Sequence, residues 1–375
     1  MTWVTISAMS AMPAMAIFSK RNRTSRLLIP VNLPFETLRL RFSNHEGRHV
    51  GRVDHVRLAK CTESGALLPG TEREVLFSGA GSVSLRPGEE LFSDELHFPC
   101  APGETLAVSV YCRERPQTVM GLGEYVFVAD RPGDRVGEPM KKDLEKELRA
   151  ISRGQAPVYQ IPYLRAVDVL TEAAPVVMSC LGDSITQQCK WFAPLQKALY
   201  ESHPGALVLL NHGICGNMFT KDAGLIRMFG KAGVKRADWD SFADYGVTHL
   251  LFALGVNDVS LGGVAAEGFA EACRGFVAKA HAKGLRVAAV SLFPAKLDKK
   301  EGVREKEELR LAYNALLGEG IFDARIELEA ALKNPDAPGY RAGYATGDGV
   351  HLNHRGGEAA AEAILRGLPP FLASP

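Results

Sequence analysis

The sequence predicts two domains, an all-β, jelly-roll-like sandwich followed by an α/β domain whose parallel sheet is covered by helices. Three observations lead to this expectation. The chain has 375 residues, more than one domain of about 150 residues needs. Its first part consists of short alternating segments bounded by turns, which is typical of a sandwich. From residue 165 onward, apolar strand-like runs alternate with amphipathic helical stretches, which indicates a parallel sheet.

The sandwich is placed at residues 1–130, because apolar and polar side chains alternate there with the period of half-buried strands. Turns such as Pro69-Gly70 and Pro87-Gly88 separate these segments. The predicted strands are 3–7, 37–42, 53–58, 74–77, 82–85, 95–98 and 106–112.

A linker or interdomain segment is placed at residues 131–165, with a charged helical stretch at 141–151 and an extended stretch at 154–163. The α/β domain then occupies residues 166–375. Its predicted strands are 176–181, 207–210, 249–253 and 286–292, and its predicted helices are 191–201, 265–283, 303–317 and 356–372.

Composition excludes several classes of function. A formal net charge of +1 offers no field for nucleic acid, and no apolar run is long enough to span a membrane. The apolar stretch 1–18 precedes its first basic residue, Lys20, which is the reverse of a secretory signal. The seven cysteines contain no C-x-x-C pair and suit a reducing compartment. We therefore favour a cytoplasmic location over secretion.

Four polar segments carry the candidate chemistry, and the first three follow predicted strands. They are Gly-Asp-Ser-Ile-Thr at 182–186, the glycine-rich segment 211–217, Gly-Val-Asn-Asp at 255–258 and Asp-Gly-Val-His at 348–351. Ligands bind outside the carboxyl ends of strands in parallel sheets. The segments are therefore expected to meet at one edge.

Acyl transfer from a serine requires a hydroxyl, a base, a group that orients the base and donors for the oxyanion. Ser184 supplies the hydroxyl and His351 the base, while Asp348, on the same loop, can hold the imidazole tautomer. The backbone N–H groups of Ser184 and Gly216 and the side-chain amide of Asn257 would converge on the oxyanion.

Each segment alone has a plainer structural interpretation. Asp183 or Ser184 can cap a helix, and the other segments read as turns. A metal site built from Asp183, Asn257, Asp348, His351 and His354 is a further alternative, but no closely spaced ligand pair such as H-E-x-x-H supports it. The joint order of Ser, Gly, Asn and Asp/His favours the hydrolase.

Together, these residues resemble the SGNH hydrolases, or GDSL esterase/lipase family, over residues 170–375. The family's four blocks match Ser184, Gly216, Asn257 and His351, and its triad acid matches Asp348. The resemblance implies a flavodoxin-like three-layer α/β/α fold and ester hydrolysis through an acyl-enzyme, without metal or cofactor. The preceding strands resemble a bacterial subgroup with an N-terminal β-sandwich, whose relatives include carbohydrate O-acetyl esterases.

The leading hypothesis is a serine esterase for short acyl groups, acetyl first, on a small-molecule or saccharide ester. Two alternatives remain open at this stage. One is a lipase or thioesterase for longer acyl chains, and the other is a carbohydrate-binding protein with a lapsed hydrolase domain. The sandwich is expected to shape the site entrance or to mediate assembly into a homo-oligomer.

Overall fold

The computed structural model describes residues 1–12, 16, 19–123, 126–140, 159–222, 229–297 and 302–373. The chain forms two compact units. One comprises Met1–Pro175 with Pro204–Val208, and the other Val176–His203 with Leu209–Pro375. The predicted helical stretch at 141–151 lies outside the described residues.

The first unit is built from short, mostly antiparallel strands, as the alternating segments predicted. Its strands are β1 (Thr2–Ala8), β2 (Arg23–Pro30), β3 (Phe35–Ser43), β4 (Gly51–Val53), β5 (His55–Cys61), β6 (Arg73–Glu74), β7 (Val83–Leu85), β8 (Glu90–Phe92), β9 (Leu96–Cys100), β10 (Thr105–Cys112), β11 (Val119–Leu122), β12 (Phe127–Pro132), β13 (Tyr159–Pro162) and β14 (Leu164–Thr171).

Two five-stranded antiparallel sheets give this unit its sandwich-like character. One has the order β12-β2-β10-β5-β6, and the other has the order β1-β14-β3-β8, with β9 also paired to β3. Sequence periodicity missed β2 and β14. The side chains of both strands are buried almost throughout, so neither shows the alternation of a half-buried strand.

The strand β14 extends the first unit past the boundary expected at 165/166. It pairs antiparallel with β1, with Thr5 opposite Asp168, and with β3, with Leu40 opposite Val167. The first unit therefore continues to Pro175, because its sheet includes a strand from the segment assigned by sequence to the linker and the start of the next domain.

The second unit contains the expected parallel sheet, with the strand order β16-β15-β17-β18-β19. Parallel pairing joins β15 to β17, β17 to β18 and β18 to β19. This order is flavodoxin-like, and its crevice lies at the carboxyl end of β15, where the chain order reverses. The strands are β15 (Val176–Gly182), β16 (Leu207–Gly213), β17 (Val247–Ala253), β18 (Arg286–Val290) and β19 (Ala324–Ile326).

Helices separate these strands along the chain. They are α1 (Ser184–Gln187), α2 (Phe192–Ser202), α3 (Gly233–Arg236), α4 (Val256–Ser260), α5 (Ala266–His281), α6 (Val303–Leu317), α7 (Glu329–Leu332), α8 (His354–Gly367) and α9 (Pro369–Ala373). The single helix predicted at 356–372 is wrong. Pro369 begins a new short helix, since proline fits the first helical position but interrupts a helix interior.

An aromatic cluster fills the core between the sheet and α5. The ring of Phe219 makes edge-to-face contacts with Phe252, Phe269 and Phe276 at centroid distances of 4.8, 5.6 and 5.7 Å, a favoured geometry for aromatic pairs. Because Phe252 lies on β17 and Phe219 follows β16, this packing fixes the loops that leave both strands. Within the described residues, no helix combines the length and apolar character that membrane crossing requires.

Candidate active site

Ser184 is the first residue of α1 and follows β15 with one residue between them. Asp183 caps this helix, because its Oδ1 accepts a 2.9 Å hydrogen bond from the amide of Ile185. A Cβ at Gly182 would lie 2.1 Å from Thr186 Oγ1, so the turn closes tightly only with glycine. The serine is thus presented at the carboxyl end of a central strand, with 6% of its surface exposed.

Ser184, His351 and Asp348 form a hydrogen-bonded series. The Nε2 atom of His351 lies 2.8 Å from Ser184 Oγ, and its Nδ1 atom lies 2.7 Å from Asp348 Oδ2. With Asp348 ionised, Nδ1–H donates to the carboxylate, and the Nε2 lone pair accepts from the serine hydroxyl. In this arrangement histidine can remove the proton of a nucleophile.

The Asp348 carboxylate is held in its charged form by its own loop. Its Oδ1 accepts hydrogen bonds from the amides of Val350 and His351, at 2.8 and 3.0 Å, and from Thr346 Oγ1 at 2.8 Å. Partial burial alone would raise the pKa of Asp348. The hydrogen bonds from His351, Val350 and Thr346 outweigh burial and hold this pKa well below its usual range.

Neighbouring segments anchor the loop that carries Asp348 and His351. The hydroxyl of Tyr340 donates to the carbonyl of Val350 at 3.1 Å, and the amide of Lys296 donates to the carbonyl of Gly349 at 2.9 Å. On the other side of the loop, Asn353 caps α8 with its side chain. The loop is therefore fixed on both flanks of the histidine.

Gly216, the second predicted oxyanion donor, adopts a backbone conformation that favours glycine. Its φ angle is +67°, in the left-handed region. A Cβ at this position would also lie 2.4 Å from the Cδ1 atom of Phe229. Both constraints exclude a side chain at Gly216.

Asn257, the third predicted donor, lies in the first turn of α4, after β17. Its Nδ2 atom donates to the carbonyl oxygen of Asn217 at 3.1 Å and lies 3.3 Å from Asp183 Oδ2. The amide therefore joins the residue that follows Gly216 to the residue that precedes Ser184. The predicted donors thus belong to segments that meet at one edge of the sheet.

Asp258, next to Asn257, braces the loop after β16. Its Oδ2 accepts from the amide of Phe219 at 2.7 Å, and its Oδ1 accepts from the amide and hydroxyl of Thr220 at 2.9 and 2.6 Å. Burial raises the pKa of Asp258, against the opposing effect of these hydrogen bonds. Asp258 therefore holds the loop after β16 in place.

Arg236 is a buried residue near the site that sequence reasoning missed. Its Nη2 donates to the carbonyls of Gly182 and His212 at 2.9 and 2.8 Å, and its Nε donates to Asn217 Oδ1 at 2.9 Å. Its charge is paired with Asp240, 2.6 Å from Nη1. One guanidinium therefore ties the ends of β15 and β16 to the loop of Gly216. No motif marks it, because two of these four partners are backbone carbonyls, which carry no signal in the sequence.

Asp183 is fully buried beside the serine, and its electrostatics are unusual. Burial raises the pKa of Asp183 to about 7, although the hydrogen bond from Ile185 and the charges of His351 and Arg236 favour the ionised form. Its carboxyl group therefore keeps its proton to a much higher pH than an exposed aspartate does. Asp183 caps α1, which is one of the roles that the sequence predicted for it.

Other singled-out residues lie outside this hydrogen-bonded series. His354 Nε2 lies 3.3 Å from Lys190 Nζ, and Trp191 and Phe192, at the start of the helix predicted at 191–201, are buried. Among the described side chains, no group of three or more His, Cys, Asp or Glu residues could hold a metal ion.

Residues 180–359 match the model of the GDSL-like lipase/acylhydrolase family. No curated protein gave a significant match. Similar solved structures include a lipolytic protein of the G-D-S-L family from Desulfitobacterium hafniense. It is 18% identical, with a TM-score of 0.40, and the match covers 51% of this chain and 98% of that one.

Two further similar structures have TM-scores of 0.41. A lipase/acylhydrolase from Enterococcus faecalis is 16% identical, and the match covers 52% of this chain and 96% of that one. A carbohydrate acetylesterase from Sinorhizobium meliloti is 15% identical, and the match covers 52% of this chain and 99% of that one. The segment that matches this family model, residues 180–359, contains Ser184, Gly216, Asn257, Asp348 and His351.

Proposed function

We propose that the chain is a serine esterase that hydrolyses short-chain esters, acetyl esters first, on a carbohydrate. The observation that carries the proposal is the series from Ser184 Oγ through His351 to Asp348, with contacts of 2.8 and 2.7 Å. A serine, a base and an orienting carboxylate in this order are the requirements of acyl transfer.

In the first step, Ser184 Oγ attacks the ester carbonyl carbon while its proton passes to His351 Nε2. The carbonyl π electrons move onto oxygen, and the N–H groups of Ser184 and Gly216 and the amide of Asn257 stabilise the resulting oxyanion. As the intermediate collapses, the bond to the alcohol oxygen breaks and His351 returns the proton to that oxygen.

In the second step, water replaces the alcohol. His351 removes a proton from the water, whose oxygen attacks the acyl carbon, and the same donors receive the second oxyanion. Collapse breaks the bond to Ser184 Oγ, which regains a proton from His351. The products are a carboxylic acid and the free enzyme. Asp348 stays ionised throughout and stabilises the imidazolium that forms in each step.

The saccharide part of the proposal rests on the resemblance to bacterial hydrolases with an N-terminal β-sandwich. We assign the first unit a role at the entrance of the site or in assembly. A reducing, cytoplasmic location is part of the same proposal, because Cys61, Cys100, Cys112, Cys180 and Cys273 are buried free thiols.

The test is a series of p-nitrophenyl esters from acetate to octanoate, together with acetylated oligosaccharides, on wild type and Ser184→Ala. We expect turnover of the short esters by wild type and a loss to background in Ser184→Ala, with an unchanged circular dichroism spectrum. A preference for octanoate would favour a lipase. Activity that survives Ser184→Ala, or no activity on any ester, would refute the proposal.

A further inference from the structure

The ring of Phe229 lies against the glycine that supplies a proposed oxyanion donor. A Cβ built on Gly216 would lie 2.4, 2.6 and 2.7 Å from Cδ1, Cγ and Cε1 of this ring. A Cβ lies about 2.5 Å from the nitrogen of its own residue. The edge of the ring is therefore within about 5 Å of the Gly216 amide nitrogen, close enough to contact a substrate whose carbonyl oxygen binds there.

The position of Phe229 is fixed by the same loop. Asn217 Nδ2 donates to the carbonyl of Phe229 at 2.7 Å and to that of Lys231 at 2.8 Å. The side chain of Asn217 is itself buried and accepts from Arg236. The backbone of Phe229 is therefore tied to the loop of Gly216 and Asn217, and the residue is only partly buried, which leaves surface for a ligand.

The direction of proton transfer indicates which part of the ester lies against the Phe229 ring. His351 must return its proton to the leaving oxygen, so the alcohol lies on the side of His351. The acyl chain takes the other direction from the tetrahedral carbon. The contacts described for Phe229 are with the loop of Gly216 and Asn217 rather than with the histidine loop.

We propose that the Phe229 ring is the wall of the acyl site and limits the enzyme to short acyl groups. This specificity rests on the proposed esterase function and deepens it. A rigid aromatic ring beside the oxyanion donor leaves room for an acetyl or butyryl chain and blocks a longer one. Replacing the ring with a smaller side chain removes the block without removing any group that takes part in the chemistry.

The experiment measures kcat/KM for p-nitrophenyl acetate, butyrate, hexanoate and octanoate in wild type, Phe229→Ala and Phe229→Trp. One methylene in an apolar pocket is worth about tenfold or more in kcat/KM. We therefore expect the octanoate-to-acetate ratio to rise by at least about tenfold in Phe229→Ala, and the butyrate-to-acetate ratio to fall in Phe229→Trp. The ratio of two kcat/KM values in one variant does not depend on the fraction of active protein, because that fraction enters both values equally.

Leu311→Ala is the control, because Leu311 is an apolar side chain within α6 that is 39% exposed; it should keep the wild-type ratios. An unchanged chain-length profile in both Phe229 variants would overturn the inference, as would a wild type that already prefers octanoate. Failure of wild type to hydrolyse any of the esters would instead refute the proposed function. If Phe229→Ala does not fold, the narrower site of Phe229→Trp still decides the outcome.

Discussion

The side-chain amide nitrogen of Asn257 lies 3.3 Å from the buried carboxyl group of Asp183, so a proposed oxyanion donor touches a group whose charge changes near neutral pH. Burial raises the pKa of Asp183 to about 7. The ionised form accepts strongly from Asn257, whereas the protonated form competes less for that amide.

We expect Asp183→Asn to change the pH dependence of stability. A carboxyl whose pKa is raised by folding stabilises the folded state below its ordinary pKa, and this contribution is lost as pH rises through the folded value. Wild type should lose stability from pH 5 to pH 8.5, by on the order of 2 kcal/mol from this group, and the variant should not. Urea unfolding at both pH values measures the difference, and parallel losses would contradict the assignment.

Asp348→Asn should lower kcat by about 10⁴, because the uncharged amide no longer fixes the His351 tautomer or stabilises the imidazolium. The KM should change little, since in the proposed mechanism Asp348 acts on His351 and not on the substrate. Asp336→Asn, an exposed aspartate on a nearby surface turn, is the control and should retain wild-type turnover. Steady-state kinetics on a short aryl ester suffice, and a loss below tenfold would argue against the triad.

Activity should fall on the acid side of the pH–activity profile, because a protonated His351 imidazole cannot act as a base. Asp348 adds no ionisation to this fall, since its pKa is held well below its usual range. By the sign of this shift, Asp348 contributes stability above its ordinary pKa and loses it as pH falls below that value. A flat acid side in log kcat/KM would contradict the assignment of His351 as the base.

Asn257→Ala should lower kcat by about 10²–10³, the usual effect of losing one oxyanion donor. The KM should stay near the wild-type value, because the interaction strengthens only when charge develops on the carbonyl oxygen. Asn334→Ala, which removes only a local turn contact with Asp336, is the matched control. An increase in KM at constant kcat would assign Asn257 to substrate binding.

Arg236→Met should lower stability by about 3 kcal/mol, because it leaves Asp240 as a buried charge without its partner. It should also slow the labelling of Ser184 by a fluorophosphonate, since the ends of β15 and β16 lose their common tie. Arg236→Lys should restore part of the stability and less of the reactivity, because lysine lacks the planar set of donors. Arg304→Met, at a residue whose side chain is 90% exposed, should change neither measurement.

The strands that could be predicted from sequence are those whose residues alternate between apolar and polar, or that form an apolar run followed by a polar turn. Alternation identified β3 and β10, and apolar runs followed by polar turns identified β15 and β17. The order of the four polar segments led to Ser184 and His351, although these residues are 167 positions apart. Each of these signals is local in sequence, which is why it could be seen without coordinates.

The parts that were missed depend on tertiary contacts. The strand β14 is buried on both faces and looks like neither a half-buried strand nor a helix. Arg236 resembles any helical arginine until its carbonyl partners are known. The place of Phe229 against Gly216 depends on the path of the loop after β16, and no spacing of residue types encodes that path.

The pairing of β1 with β14 has a consequence for biosynthesis. Thr5 Oγ1 donates to Asp168 Oδ1 at 2.7 Å across 163 positions, so the first sheet cannot close until the ribosome has released residue 171. The strand β15, which leads to Ser184, emerges only a few residues later. The nascent sandwich therefore exposes the unpaired edges of β1 and β3 during most of its synthesis, and it completes its sheet just as the second unit begins to emerge.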